Sequence, residues 1–140
     1  MSRRLDVLSA LKALIAAALP NADVLGLDND ASPPARIYPG GRAIVRSGDP
    51  GEPDIDLSPL AYNYGHRVPV ELLANDEAML DAMLVAIGNA VEADRTLGGL
   101  CDWLEPIAPE TDVIAADNAA AQRGCELLII ASYVTTNPLT

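Results

Sequence analysis

The stretch Asn75 to Leu100, NDEAMLDAMLVAIGNAVEADRTLGGL, constrains this chain more than any other. Asn75 is expected to cap a helix, since its side-chain oxygen can accept from a free N–H of the first turn. Asp76 and Glu77 then place negative charge at the positive end of the helix dipole. Leu80, Met83, Leu84, Ile87 and Val91 recur at helical spacing and form one apolar stripe. Asp81, Asn89 and Glu92 fall largely on the other side. Gly88 interrupts the helix at a cost of roughly 1 kcal/mol relative to Ala. Arg95 is expected in the last turn, with Gly98 and Gly99 supplying the left-handed residue that stops it. A helix of this kind needs a surface to cover, and strand-like runs lie on either side of it.

The N-terminal part predicts a second helix over residues 2–19. Ser2 is its cap, and Leu8, Leu11, Ile15 and Ala18 form the stripe. Leu5, Val7 and Leu14 widen that stripe, and Pro20 ends the helix. Ala22 to Leu27 reads as a short strand and Arg36 to Tyr38 as a short extended piece. Between them, LDNDASPPAR is loop chemistry. Arg42 to Ser47 reads as a strand with Ala43 and Val45 on one face.

Gly48 to Gly65, GDPGEPDIDLSPLAYNYG, carries three prolines, three glycines and four acids. It is too long for a tight turn and too poor in apolar residues for a core, so it predicts a functional loop. Asp49, Glu52, Asp54, Asp56, Leu57, Leu60 and Tyr62 are its candidate assembly residues.

Tyr62 to Ala74 alternates Val68, Val70 and Leu72 against Arg67, Pro69 and Glu71. Pro69 predicts an edge or a bulge on its side of that strand. Leu100 to Ile107 and Thr111 to Ala116 are further strand candidates. Glu126 to Thr136 is apolar on both faces and belongs in the middle of a sheet. The order predicts an α+β fold: two helices on one face of a largely antiparallel sheet, in one domain spanning 1–140. Arg42–Ser47 with Tyr62–Ala74 forms a long-looped hairpin, and the strands after the second helix form another.

Composition narrows function. Half of the residues are hydrophobic, with no Phe and one Trp, so Leu, Ile, Val and Ala must build the core. The formal net charge of −11 opposes phosphate binding and docking on anionic lipid. Such a charge reads either as a plain acidic surface or as an acidic wall that repels DNA or meets a basic partner. No signal peptide is evident, and no apolar run is long enough to span a bilayer. Cys101 and Cys125 then read as reduced thiols of a cytosolic protein.

No catalytic, cofactor-binding or metal site emerges. His66 is the only histidine. Ser58 is the nearest serine, but no nucleophile-elbow pattern accompanies it. An exposed or hydrogen-bonded strand histidine is the expected reading. Two cysteines and one histidine match no zinc spacing. Asp28 and Asp30 begin like a calcium loop but lack the later ligands. Asp54 and Asp56 would share a face if extended, and read as solvated loop acids. Neither Gly-Gly pair belongs to a phosphate loop. Trp103 and Tyr133 are expected as core or interface anchors.

The layout resembles the tail-terminator (tail-completion) proteins of long-tailed bacteriophages, the group that includes the lambda terminator. The likeness covers most of the chain. It rests on the N-terminal helix, the hairpin with a long polar loop, the second helix running into ADRTLGGLCDW at Ala93 to Trp103, and the closing strand LLIIASYVTT. No single motif in it is diagnostic. The resemblance implies a structural virion protein without catalytic residues or cofactors. It implies a hexameric ring that stops tail-tube polymerisation and meets the head connector, in a virion assembled in the host cytoplasm. DNA would pass the bore without specific binding, and Asp28, Asp30, Asp49, Glu52, Asp54 and Asp56 are candidates to line it. Two alternatives stay open: another phage neck or tail-tube protein, and a small cytosolic enzyme or adaptor.

Overall fold

A computed structural model describes residues 1–27, 40–110, 112–114 and 122–140. Among these, two α-helices lie on one face of a seven-stranded sheet, the α+β arrangement expected from the sequence. Helix α1 is Arg3–Ala18, capped by the Ser2 hydroxyl, which accepts from Leu5 N at 3.2 Å. Such a cap contributes about 1 kcal/mol. Val7, Leu8, Leu11 and Ile15 are buried along it, and the helix stops before Pro20.

Strands β1 (Asp23–Leu25) and β2 (Arg42–Val45) pair in parallel, the one parallel pairing among the described strands. Asp23 and Arg42 face each other across that pair at 3.6 Å with little exposure. Strand β3 (Asp54–Leu57) pairs antiparallel with the start of β4 (Leu60–Ala74). Helix α2 is Glu77–Ala93, followed by one 3-10 turn at Leu97–Gly99. Strands β5 (Trp103–Ile107) and β6 (Asp112–Ile114) both pair antiparallel with β7 (Gln122–Thr135).

The spine is the long β4–β7 pairing, from Tyr62 opposite Thr135 to Ala74 opposite Arg123. One half of the sheet runs β3-β4-β7-β5; the other runs β1-β2-β4-β7, with β6 beyond β7. Both expected hairpins exist, β2 with β4 and β5 with β7. Tyr64, His66, Val68, Val70, Leu72 and Ala74 of β4 are buried toward the helices, as are Leu127, Ile129, Ala131 and Tyr133 of β7. This period-two burial is what a strand with one covered face must have.

Several local expectations need correction. Asp76, not Asn75, caps α2, accepting from Met79 N at 2.7 Å. The helix ends at Ala93, so Arg95 lies beyond it; Gly98 and Gly99 do take positive φ, but in the following turn. Leu80, Met83, Ile87 and Val91 are buried, whereas Leu84 is half-buried. The α2 stripe meets α1, β4 and β5 as well as the C-terminal strand.

Pro69 lies in a central strand at a bulge, one of the two outcomes expected of it: Arg46 lies opposite Pro69 and Asp49 opposite Arg67, so Ser47 and Gly48 face Val68 alone. Its carbonyl accepts from Arg46 N at 2.9 Å, just past the end of β2. In an antiparallel strand a residue's N–H and C=O point to the same side. The missing donor of Pro69 therefore faces the place where β2 has already stopped, and no bond to β7 is lost. The segment 48–65 is also more regular than expected. Its second part is the β3–β4 hairpin, and only the part before Asp54 is irregular. Asp28, Asp30 and the extended piece at Arg36 to Tyr38 lie outside the described residues.

Candidate functional site

The candidate assembly residues gather on the β3–β4 hairpin. Asp54, Asp56 and Leu57 lie on β3, Leu60 and Tyr62 on β4, and Asp49 and Glu52 in the lead-in. A two-residue turn, Ser58 and Pro59, joins the strands through a cis peptide bond. Register sets the faces, since residues directly opposite in an antiparallel pair point the same way. Ile55 lies beside Tyr62 and Leu57 beside Leu60, on the helix side of the sheet. The helices do not reach them: Ile55 is 52% exposed, Leu57 83% and Leu60 44%. Asp54 and Asp56 point to the other face, where Asn63 Nδ2 donates to Asp56 Oδ2 and to the Asp54 carbonyl at 3.1 Å each. Asp49, Glu52, Asp54 and Asp56 are all exposed, so this end of the molecule is both acidic and apolar. Asp54 and Asp56, expected on a loop, sit on a strand.

The base of the hairpin is fastened. Asp49 and Arg67 exchange backbone hydrogen bonds at 3.1 and 2.9 Å. Gly48 takes φ +71 there, and a Cβ on it would collide with the Arg67 carbonyl, so a side chain is excluded twice over. Asp49 Oδ1 accepts from Gly51 N at 2.8 Å and turns the chain.

His66 lies beneath this base, fully buried. Its Nε2 is 2.6 Å from the Ser47 carbonyl, which can only accept, so Nε2 carries the proton. Nδ1 then accepts from the Tyr133 hydroxyl at 2.8 Å. Burial holds the imidazole below its ordinary pKa. Burial also pushes Tyr133 up. Both nitrogens are occupied, and Ser58 is exposed on the hairpin turn, so the conceivable Ser58–His66 pairing is not formed. The histidine ties the end of β2 to β7 across β4. Of the two anchor candidates, Tyr133 is a core residue packed against Tyr64, whereas Trp103 is 47% exposed.

The face of the sheet away from the helices carries a second set of residues. Trp103 lies opposite Ser132, which lies opposite Gly65; Arg67 lies opposite Ile130, which lies opposite Glu105. The Arg95 guanidinium stacks 4.7 Å over the Trp103 ring, reaches Glu105 at 3.5 Å and donates to the Leu104 carbonyl at 2.7 Å. Trp103 Nε1 donates to Glu105 Oε2 at 2.7 Å. Ile107 and Val134 are also exposed. Farther along this face an open trough of about 680 Å³ runs over Ile44, Leu73, Ile107 and Leu128, edged by Glu71, Glu110 and Glu126.

Cys101 and Cys125 are free thiols. Burial pushes Cys101 up to about 11 and Cys125 upward as well, so neither is a ready nucleophile. Among the described residues no three His, Cys, Asp or Glu side chains are placed to share a metal ion. No described helix is long and apolar enough to cross a membrane. Ile55, Arg67 and Arg95 were not among the candidate site residues expected from the sequence. Ile55 was legible in principle, as the apolar residue between two acids in an extended DIDL.

No protein-family model matches the sequence, and no curated protein matches it. Among solved structures, the chain is similar to a chain of "Virion of native gene transfer agent (GTA) particle". The TM-score is 0.54 at 20% sequence identity, over 91% of this chain and 94% of that one. At that identity the likeness establishes a shared fold, running nearly from end to end of both chains.

Proposed function

We propose that the chain is a structural virion protein, a tail terminator whose ring caps the tail tube and joins it to the head connector. The observation that carries this reading is the end-to-end likeness of fold to a chain of a gene transfer agent virion. The resemblance of the sequence layout to tail-terminator proteins points the same way. The chemistry of the side chains agrees with a scaffold rather than an enzyme. The only histidine is spent on holding strands together, and both thiols are held protonated.

In this reading the helix-backed sheet is the rigid body of each subunit. The β3–β4 hairpin is its assembly element, with Leu57, Leu60 and Tyr62 making contacts and the acids keeping it soluble before assembly. Some of Asp28, Asp30, Asp49, Glu52, Asp54 and Asp56 line the bore. A basic bore would grip phosphates, whereas an acidic one keeps the genome sliding. The partners are other copies of the chain, the tube protein below and the connector above.

Native mass spectrometry of the purified chain tests the ring. A single closed species near six times the 14.7 kDa chain mass is expected. A protein that stays monomeric at high concentration contradicts the reading and returns attention to a small enzyme or adaptor.

A further inference from the structure

We propose that the segment 47–53 is an acid-released strap, closed over His66 while the imidazole is neutral and lifted when Nδ1 takes a proton. The proposal goes beyond the ring reading and does not depend on it.

The strap lies between the end of β2 and the start of β3 and belongs to neither strand. It leaves β4 through the bulge in which Ser47 and Gly48 face Val68 alone. Three attachments hold it down. His66 Nε2 donates to the Ser47 carbonyl at 2.6 Å. Asp49 and Arg67 exchange two backbone hydrogen bonds. Arg4 of α1 donates to Ser47 Oγ at 3.0 Å. Ser47, Gly48 and Asp49 are exposed, whereas the His66 side chain beneath them is fully buried. A single layer of chain therefore separates that ring from water.

The hydrogen bonds around His66 suit one protonation state. Nε2–H donates to Ser47, and Nδ1 accepts from the Tyr133 hydroxyl at 2.8 Å. A second proton at Nδ1 sets one donor against another, and neither ring nitrogen meets a carboxylate. The charged and titratable groups around the ring are Arg4 from α1, Asp49 from the strap, Tyr64 from β4 and Tyr133 from β7. Arg4 repels an imidazolium and Asp49 attracts it, so these two oppose each other. Burial is left to decide, and it disfavours the charged ring. The imidazolium is relieved by reaching water, which requires one of its two covers to move. Tyr133 is fixed in the core within β7, at 3% exposure. The strap has no ladder of its own. Beside it a pocket of about 200 Å³, walled by Arg4, Pro50, Tyr64 and Tyr133, gives water a way in. The strap is what lifts, and the opening ends at Asp54, where β3 is paired with β4.

Amide hydrogen exchange of the unmodified chain, read residue by residue by NMR, tests this. The Asp49 and Arg67 N–H groups report the strap, and that of Ile129 in the middle of β7 reports global unfolding. After correction for intrinsic rates, protection at Asp49 and Arg67 should fall about tenfold per pH unit below about pH 6.5, until the folded pKa of His66 is reached. That fall should be the same with and without a low concentration of urea, because a local opening exposes little surface, whereas protection at Ile129 should drop with urea. In His66→Gln the pH dependence at Asp49 and Arg67 should vanish. If that variant does not fold, the imidazole nitrogen-15 shifts of the unmodified chain replace it, and a ring that charges near pH 6.5 with no loss of protection overturns the proposal. Protection that ignores pH, a fall that shares the urea dependence of Ile129, or a pH dependence that survives His66→Gln overturns it as well. None of these outcomes bears on the ring, which is read from assembly mass.

Discussion

Ile87 and Leu84 lie three residues apart on α2, and only the structure separates their roles. Ile87 is 1% exposed, while Leu84 is half-buried at the margin of the same core. Ile87→Ala removes three carbons, a transfer loss of about 2.4 kcal/mol at roughly 0.8 per carbon. The unfilled space adds to that, and Ala returns only a few tenths through helix propensity. A cost of about 3 kcal/mol follows. Leu84→Ala loses part of a contact that water already reaches, and should cost about 1 kcal/mol. Urea unfolding, followed in a Leu57→Ser background so that assembly adds no mass action, gives both values. At an m-value of about 2 kcal/mol/M, Ile87→Ala should move the midpoint by about 1.5 M. A Leu84→Ala cost equal to or above that of Ile87→Ala would refute the face assigned to α2.

Three other outcomes follow from the same structure. Gly88 lies within α2 with open space where a Cβ would go, so Gly88→Ala should stabilise by about 0.5–1 kcal/mol, read as a higher melting temperature; a lower one would mean the position is crowded. His66 has its folded pKa held below the ordinary value of 6.5. Between those two pKa values the unfolded chain binds the extra proton, so stability is full above about pH 6.5 and falls as pH drops through 6.5 toward the folded pKa. Urea titrations of the unmodified chain and His66→Gln should diverge less as pH falls through that window; a constant difference would leave His66 uncoupled to pH. Replacing Asp49, Glu52, Asp54 and Asp56 together with Lys should slow DNA ejection most at low salt, and ejection rates that ignore both the change and the salt would remove these acids from the bore.

The architecture was legible because it is written in local signals. Ser2 and Pro20 bracket α1, the alternation of Val68, Val70 and Leu72 marks β4, and the apolar run through Ile129 and Ile130 marks β7 as central. The misses lie where tertiary neighbours decide. Asn75 and Asp76 are both good caps, and only the helix's starting phase selects Asp76. Asp54 to Leu57 alternates acid with apolar and becomes a strand because Leu60 to Asn63 lies opposite it. Pro69 signalled an edge or a bulge, and only the structure shows that it is the bulge where the neighbouring strand stops. Arg95 was expected in the last turn of α2, yet it lies beyond the helix end and turns to Trp103 and the Leu104 carbonyl. On the exposed hairpin, the acids and Leu57, Leu60 and Tyr62 could be picked out from polarity and length. The sheet face carrying Arg67, Trp103 and Ile130 could not, because its residues come from β4, β5 and β7 and meet only once the sheet is formed.

The account's central claim is a place: one ring, at the junction of tail tube and head. Electron cryomicroscopy of the particles that contain this chain, carrying a tag at its C-terminus, locates it directly. A single ring of density at the head-proximal end of the tube is the predicted result. Density repeating along the tube would make the chain a tube protein, and particles without the chain would contradict the account altogether.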